Sequence, residues 1–303
     1  MERAVKPFEE RSADEFVAAV HRVIELNIHE LTASLPLADG LMQLMPGKML
    51  RTRLAAWMVA CDASGADRRT LERSCAAIEL VHTASLCHDD VIDNGLLRRA
   101  RPTLWKLSGS CAAILVGDLL LCRAMDLILG TASNRYASAF VSKVREVCAA
   151  EAEQEISLRG KRLNRTTCLR LAREKTGPFF AFVGLVSGGN DEALSAALEE
   201  AGYRIGTAYQ IFDDLVDIVG DEREAKKTLG TDALRRKFTI PQGSEDGHGE
   251  AIDCVESLCR SAVECVSGWP RTTAAIGMYL EHDLGPVFGR HLGQLGMSME
   301  LAV

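Results

Sequence analysis

The stretch His82-Thr83-Ala84-Ser85-Leu86-Cys87-His88-Asp89-Asp90-Val91-Ile92-Asp93 ends an apolar run that reads as one long helix, from about Thr70 to Asn94. At about 100° per residue, positions i and i+4 share a helix face, so Asp89 and Asp93 point the same way. The pattern returns as Asp213-Asp214-Leu215-Val216-Asp217, after the apolar run Ile205 to Phe212. Like charges one turn apart destabilise a bare helix by about 0.2–0.5 kcal/mol per pair. Two such rows beside apolar sequence point to a cation that neutralises them; the bland alternative is a pair of solvated acidic helix ends. Carboxylates are hard oxygen ligands suited to Mg²⁺. They repel a diphosphate, by roughly 4 kcal/mol for single charges 4 Å apart at an effective dielectric of 20, unless a metal bridges them. The EF-hand calcium loop with its glycine is absent.

Helical periodicity continues outward from these rows, and no convincing period-two alternation is present. Ser12-x-x-Glu15 is expected to form a capping box before Phe16, Val20, Val23, Ile24 and Leu31, which fall on one helix face. Further helices are expected from near Lys48 and at about 108–132, 134–160, 165–188, 191–219 and 250–266. Arg101-Pro102-Thr103, Gly188-Gly189-Asn190 and Gly220-Asp221 read as interhelical turns, and residues 242–249 as a flexible loop. The Gly-rich stretch from Trp269 receives no assignment. Residues 1–303 are therefore expected to form one all-α domain.

Composition narrows the function. With 47% hydrophobic and 25% charged residues the chain suits a globular fold, and its net charge of −7 argues against nucleic acid. The apolar stretch Cys111 to Cys122 is interrupted by Asp118 and too short to cross a bilayer. The charged N-terminus lacks a signal-peptide core, and ten scattered cysteines without metal spacing read as reduced, mostly buried thiols of a cytoplasmic protein.

A metal-diphosphate site also needs cations. Arg98-Arg99 follows the first row closely. Pro46-Gly47-Lys48-Met49-Leu50-Arg51 places Lys48 and Arg51 at a helix start, where free amides attract anions. Lys175, Lys226-Lys227 and Lys237 add further basic points. Each alone reads more readily as a solvated surface charge; their value comes from their positions relative to the acidic rows.

Taken together, these segments resemble the trans-prenyl diphosphate synthase (polyprenyl synthetase) family over roughly residues 40–241. The two aspartate rows, Arg98-Arg99-Ala100-Arg101-Pro102-Thr103, Gly117-Asp118-Leu119-Leu120, Lys175-Thr176, Tyr209-Gln210, Lys227-Thr228-Leu229-Gly230-Thr231-Asp232 and Lys237-Phe238-Thr239-Ile240-Pro241 carry the resemblance. It implies an antiparallel helical bundle around a central cavity, of the isoprenoid synthase type, usually a homodimer. The implied reaction condenses isopentenyl diphosphate with an allylic diphosphate. Asp89, Asp93 and Asp213, with Asp217 supporting, would hold Mg²⁺. Arg98, Lys175, Lys227 and Lys237 would grip the allylic diphosphate, and Lys48, Arg51, His82 and Arg99 that of isopentenyl diphosphate. Thr176 and Gln210 would line the carbocation's path. Ala84 and Ser85, both small, would leave the cavity floor open and favour products of twenty carbons or more, although Leu121, Cys122 or Met125 would be able to close it lower down.

The polar stretch after Pro241 and the Pro46-Gly47 pair depart from the family pattern. A class I terpene cyclase would share the first row but not the second, and a non-catalytic regulatory subunit of a heteromeric synthase would typically lose acidic residues. A di-iron bundle needs two Glu-x-x-His pairs on helices, and only Glu79 to His82 qualifies.

Overall fold

The structure, a computed structural model, describes residues 7–33, 35, 44–131, 133–219, 239 and 247–292. In chain order it comprises α1 (Pro7–Thr32), α2 (Leu50–Ala60), α3 (Arg68–Ile92), a hairpin of β1 (Leu97–Arg98) and β2 (Arg101–Pro102), α4 (Leu104–Ser108), α5 (Ser110–Leu129) and α6 (Asn134–Ala152). A π-helical turn (Glu153–Leu158) extends α6. Then come α7 (Arg165–Ser187), α8 (Glu192–Val219), α9 (Gly247–Cys265), α10 (Pro270–Tyr279), a second π-helical turn (Leu280–Leu284) and α11 (Gly285–Leu292). The all-α expectation holds.

Local chemistry sets many of the boundaries. Asp67, Ser133, Asn164 and Asp191 each accept a backbone N–H three residues ahead, so α3, α6, α7 and α8 start on side-chain caps. The expected capping box at Ser12 does not form. α1 already runs from Pro7, whose fixed φ suits a first helical turn, and Glu15 accepts instead from Arg11 Nε at 3.2 Å. The expected 108–132 helix breaks at Gly109, whose φ of 87° separates α4 from α5. Arg101 and Pro102, expected in a turn, form β2. The turn itself falls on Arg99 and Ala100, with φ of 53° and 60°, the pair of positive values a tight two-residue hairpin requires.

Residues 270–292, left unassigned from sequence, are helical because Pro270 opens α10 and Ile276, Tyr279, Leu280, Leu284 and Phe288 all turn into the core. α9 opens at Gly247, inside the stretch expected to be a loop; residues 242–246 and the expected turn at Gly220-Asp221 lie outside the described residues.

Phe16, Val20, Ile24 and Ile28 of α1 are fully buried and line one face at four-residue steps. α3 and α5 run antiparallel: Arg73 Nε donates to Leu127 O at 3.3 Å, while His88 meets Ile114 O at 3.2 Å. α7 and α8 approach closely where glycines meet. A Cβ on Gly206 would lie 2.6 Å from Gly177 Cα, so larger residues would wedge these helices apart just where Thr176 and Gln210 face each other. No helix among the described residues is long and apolar enough to cross a membrane. The cysteines are less buried than expected. Four are buried, three half-buried and three exposed, with exposed Cys111 and Cys122 on the outer face of α5.

Candidate active site

The first row forms the last turn of α3. Asp93 caps its C-terminus, its N–H donating to Asp89 O at 2.7 Å, and Asp89 and Asp93 are half-buried. Asp90 faces inward and accepts a forked pair from Arg98, with Nη2 to Oδ1 at 2.7 Å and Nε to Oδ2 at 3.1 Å. The hairpin turn therefore places Arg98 beneath the first row. Burial works against the guanidinium charge, but Asp90, then Asp89 and Asp213, outweigh it and hold Arg98 above its ordinary value. Asp213 belongs to the second row. Carboxylates of both rows thus act on the charge of one half-buried guanidinium.

The second row lies on the last turns of α8, with Asp213 half-buried and Asp217 buried. Its middle carboxylate, like Asp90, is engaged within the protein: Gln210 Nε2 donates to Asp214 Oδ1 at 2.8 Å. Thr176 Oγ1 donates to Gln210 Oε1, joining α7 to α8 beside the Gly177–Gly206 contact. Next to Thr176, Lys175 Nζ donates to Gln154 Oε1 at 2.8 Å and pairs with Glu151 at 3.1 Å. Glu151 leads back to the first row through Cys148, whose thiol is pushed up by burial and then by Asp89 and Glu151. Lys175 is thus tied to α6 and its π-helical extension, and Thr176 through Gln210 to Asp214.

Two of the predicted isopentenyl-side cations, Arg51 and Arg99, act on His82. Its imidazole is held well below its usual value by burial and by the guanidiniums of Arg51, Arg99 and Arg98. Arg51 is buried, with Nη2 3.4 Å from His82 Nδ1, Nη1 4.0 Å from Glu79, and its guanidinium over Phe179 and Phe180. Arg99 is exposed at the tip of the hairpin and donates to Met45 O. It crosses so close to Gly47 that a Cβ there would meet Arg99 Nη2 at 2.8 Å. Lys48 follows, exposed, just before the N-cap Met49 of α2. Ala84 is buried, and Ser85 folds its hydroxyl back onto His82 O at 2.9 Å. Lys227 and Lys237 lie outside the described residues.

Sequence reasoning missed Glu79, Glu151, Gln154, Asp214 and the use of Arg98 by Asp90. Glu79 does carry a signal, a glutamate on an otherwise apolar helix face. Its carboxylate accepts from Thr52 Oγ1 at 3.1 Å and braces α2.

Among the described residues, no three acidic, imidazole or thiol groups converge on one point. The donor set nonetheless fits Mg²⁺, which binds through one or two carboxylates and takes its other ligands from water and phosphate oxygens. Half-buried Asp89, Asp93 and Asp213 offer such oxygens from two helices.

A family model, Polyprenyl synthetase, matches residues 37–245. The chain belongs to the polyprenyl synthetase family. The match contains both rows, the hairpin and the α7–α8 pair, and it ends before α9. Among members of the family, a short chain isoprenyl diphosphate synthase of Methanothermobacter thermautotrophicus is 31% identical over 253 residues, 78% of this chain and 77% of that protein. An octaprenyl diphosphate synthase of Haemophilus influenzae is 30% identical over 222 residues, 72% of this chain and 66% of that protein. The fold matches a Helicobacter pylori geranyltransferase crystallised with magnesium and isoprenyl diphosphate, at a TM-score of 0.70 and 22% identity, covering 92% of this chain and 98% of that one. Polyprenyl synthetases are prenyltransferases, and the isoprenoid synthase fold is the one found here.

Proposed function

We propose that this polyprenyl synthetase condenses isopentenyl diphosphate with an allylic diphosphate, forming a longer trans-polyprenyl diphosphate. The observation that carries this reading is the placement of both aspartate rows within reach of Arg98. One anionic headgroup lying between the rows would meet both sets of carboxylates through metal and the guanidinium beneath them.

Asp89, Asp93 and Asp213, backed by Asp217, would hold Mg²⁺, which when bound supplies Lewis-acid stabilisation of charge on the leaving diphosphate. Arg98, kept charged and immobile by Asp90, adds fixed positive potential at the same place. Lys175 moves from Glu151 and Gln154 to the diphosphate oxygens, and Lys227 and Lys237 complete that grip. Lys48, Arg51, His82 and Arg99 hold the second diphosphate, so the homoallylic double bond waits next to the allylic carbon. Thr176 spends its hydroxyl proton on Gln210 Oε1 and so presents oxygen lone pairs toward developing cationic charge. The proton lost after carbon–carbon bond formation passes to the released diphosphate, so no side chain acts as general base.

Small Ala84 and Ser85 favour products of twenty carbons or more. Changing Ala84→Phe is expected to shift the product ladder to shorter lengths, read by chromatography of the dephosphorylated alcohols; an unshifted ladder contradicts an open floor.

A homodimer is supported by the outer face of α5, where Ile114, Leu115, Leu119, Met125 and Leu129 are exposed together along most of the helix. The free thiols fit a cytoplasmic setting. Incubating the pure protein with Mg²⁺, isopentenyl diphosphate and allylic primers of increasing length tests the reaction. Five-carbon increments support it, whereas hydrocarbon release from the allylic substrate alone would mark a cyclase.

A further inference from the structure

Arg51 is buried and charged, yet its polar contacts are long. Its nearest polar neighbours are His82 at 3.4 Å and Glu79 at 4.0 Å, and its Nε has no hydrogen-bond partner. Beyond the Phe179 and Phe180 rings under its guanidinium, its position follows the backbone of α2. That helix has no side-chain N-cap, since Met49 sits before it at φ 51°. Besides the exposed pair of Arg53 with Asp14 of α1 at 3.5 Å, two anchors hold it from outside. On one side Glu79 of α3 accepts from Thr52. On the other, Asp283 in the second π-helical turn accepts from Trp57 Nε1 at 2.6 Å and pairs with Arg53 at 3.1 Å. His282 stacks on the Trp57 ring, with centroids 5.5 Å apart. Asp283 is largely buried, with 9% of its side chain exposed.

This second anchor lies beyond residue 245, where the match to the family ends. We infer that Asp283 is a positioning residue: through Trp57 and Arg53 it sets the placement of α2, and hence of Arg51, for the second substrate's diphosphate. The inference rests on the condensation reading. Asp283 touches neither aspartate row in any contact described above, whereas Arg51 adjoins His82. Loss of the anchor should thus weaken one substrate selectively.

The test separates the two Michaelis constants. Asp283→Ala is expected to raise KM for isopentenyl diphosphate about tenfold, the loss of roughly one charge-assisted hydrogen bond, while KM for the allylic primer changes less than about twofold. Asp283→Asn keeps an acceptor for Trp57 and is expected to restore most of the loss. Trp57→Phe removes only the indole N–H and should give a smaller rise of the same selectivity. Calorimetric titration of isopentenyl diphosphate into each variant reads the same order without turnover. An unchanged KM for isopentenyl diphosphate, or equal rises for both substrates, overturns the inference. If Asp283→Ala does not fold, the selectivity of Trp57→Phe decides the matter by the same criterion. Failure of the wild type to condense the two substrates would fall on the proposed reaction instead, a separate result.

Discussion

The two aspartate rows share a five-residue pattern and differ in almost everything that surrounds it. The first ends its helix: Asp93 is the C-cap of α3, and the middle carboxylate, Asp90, is locked to a cation. The second sits inside α8, its middle carboxylate, Asp214, is held by a neutral amide, and Asp217 is buried. The first row's middle carboxylate meets a charged guanidinium, whereas the second row's accepts from a neutral amide. Equal spacing in sequence therefore does not mean equal electrostatics. Part of the first row's charge already faces Arg98, and the metal ligands proposed above are the half-buried carboxylates of Asp89, Asp93 and Asp213.

Removing one of those carboxylates should have the largest effect. Asp89→Ala and Asp213→Ala are each expected to lower kcat by about 10³ or more with the far-ultraviolet spectrum and melting temperature retained, because metal-held transition-state charge is lost. Near-normal kcat in either folded variant would break the pairing of the rows.

The middle positions should separate the rows by stability instead. Asp90→Asn keeps an acceptor but removes the charge paired with the half-buried Arg98 guanidinium, and is expected to cost about 2 kcal/mol in urea unfolding. Asp214→Asn keeps an acceptor for Gln210 and should cost well under 1 kcal/mol. Equal costs would contradict the distinction.

A third prediction concerns pH. The folded-state pKa of His82 lies well below its ordinary 6.5, so as pH falls below that value the unfolded chain takes up a proton before the native chain does. Stability from this group is complete above about 6.5 and is lost as pH falls further, by up to about 1.4 kcal/mol per pH unit. Between pH 7 and 5.5, wild type should lose roughly 1 kcal/mol more than His82→Gln, as measured by urea midpoints. Parallel losses would mean that the guanidiniums around His82 do not act on it.

The smallest effect concerns the hairpin that delivers Arg98 to the first row. Ala100 holds a φ of 60° that glycine adopts without strain. Ala100→Gly is expected to stabilise the protein by about 0.5–1 kcal/mol, visible as a higher melting temperature. A destabilised variant would show that the turn is not strained.

Much of this comparison was legible in the sequence. The rows stood out because paired like charges beside apolar residues need an explanation, and helical spacing placed Asp89 with Asp93 and Asp213 with Asp217. Long helices such as α3, α7 and α8 followed from their periodicity. What stayed hidden depends on contacts between elements. Nothing local says that Asp90 will bind Arg98, since a tight hairpin with alanine at positive φ must first bring them together. Gln154 reaches Lys175 from a π-helical turn, which shifts side chains off the 3.6-residue register that sequence patterns assume. The Ser12 capping box failed for a related reason, as a favourable local motif gave way to a helix begun one turn earlier at Pro7.

The claim that both rows act on one metal-bound lipid diphosphate is tested most directly by titrating Mg²⁺ against condensation of isopentenyl diphosphate with an allylic primer, in wild type and in Asp213→Asn. Turnover is expected to vanish in excess chelator, to return with added Mg²⁺, and to need about tenfold more Mg²⁺ in the variant, as if one carboxylate ligand had been weakened. Condensation that persists undiminished in chelator, or an identical Mg²⁺ requirement in both proteins, would contradict it.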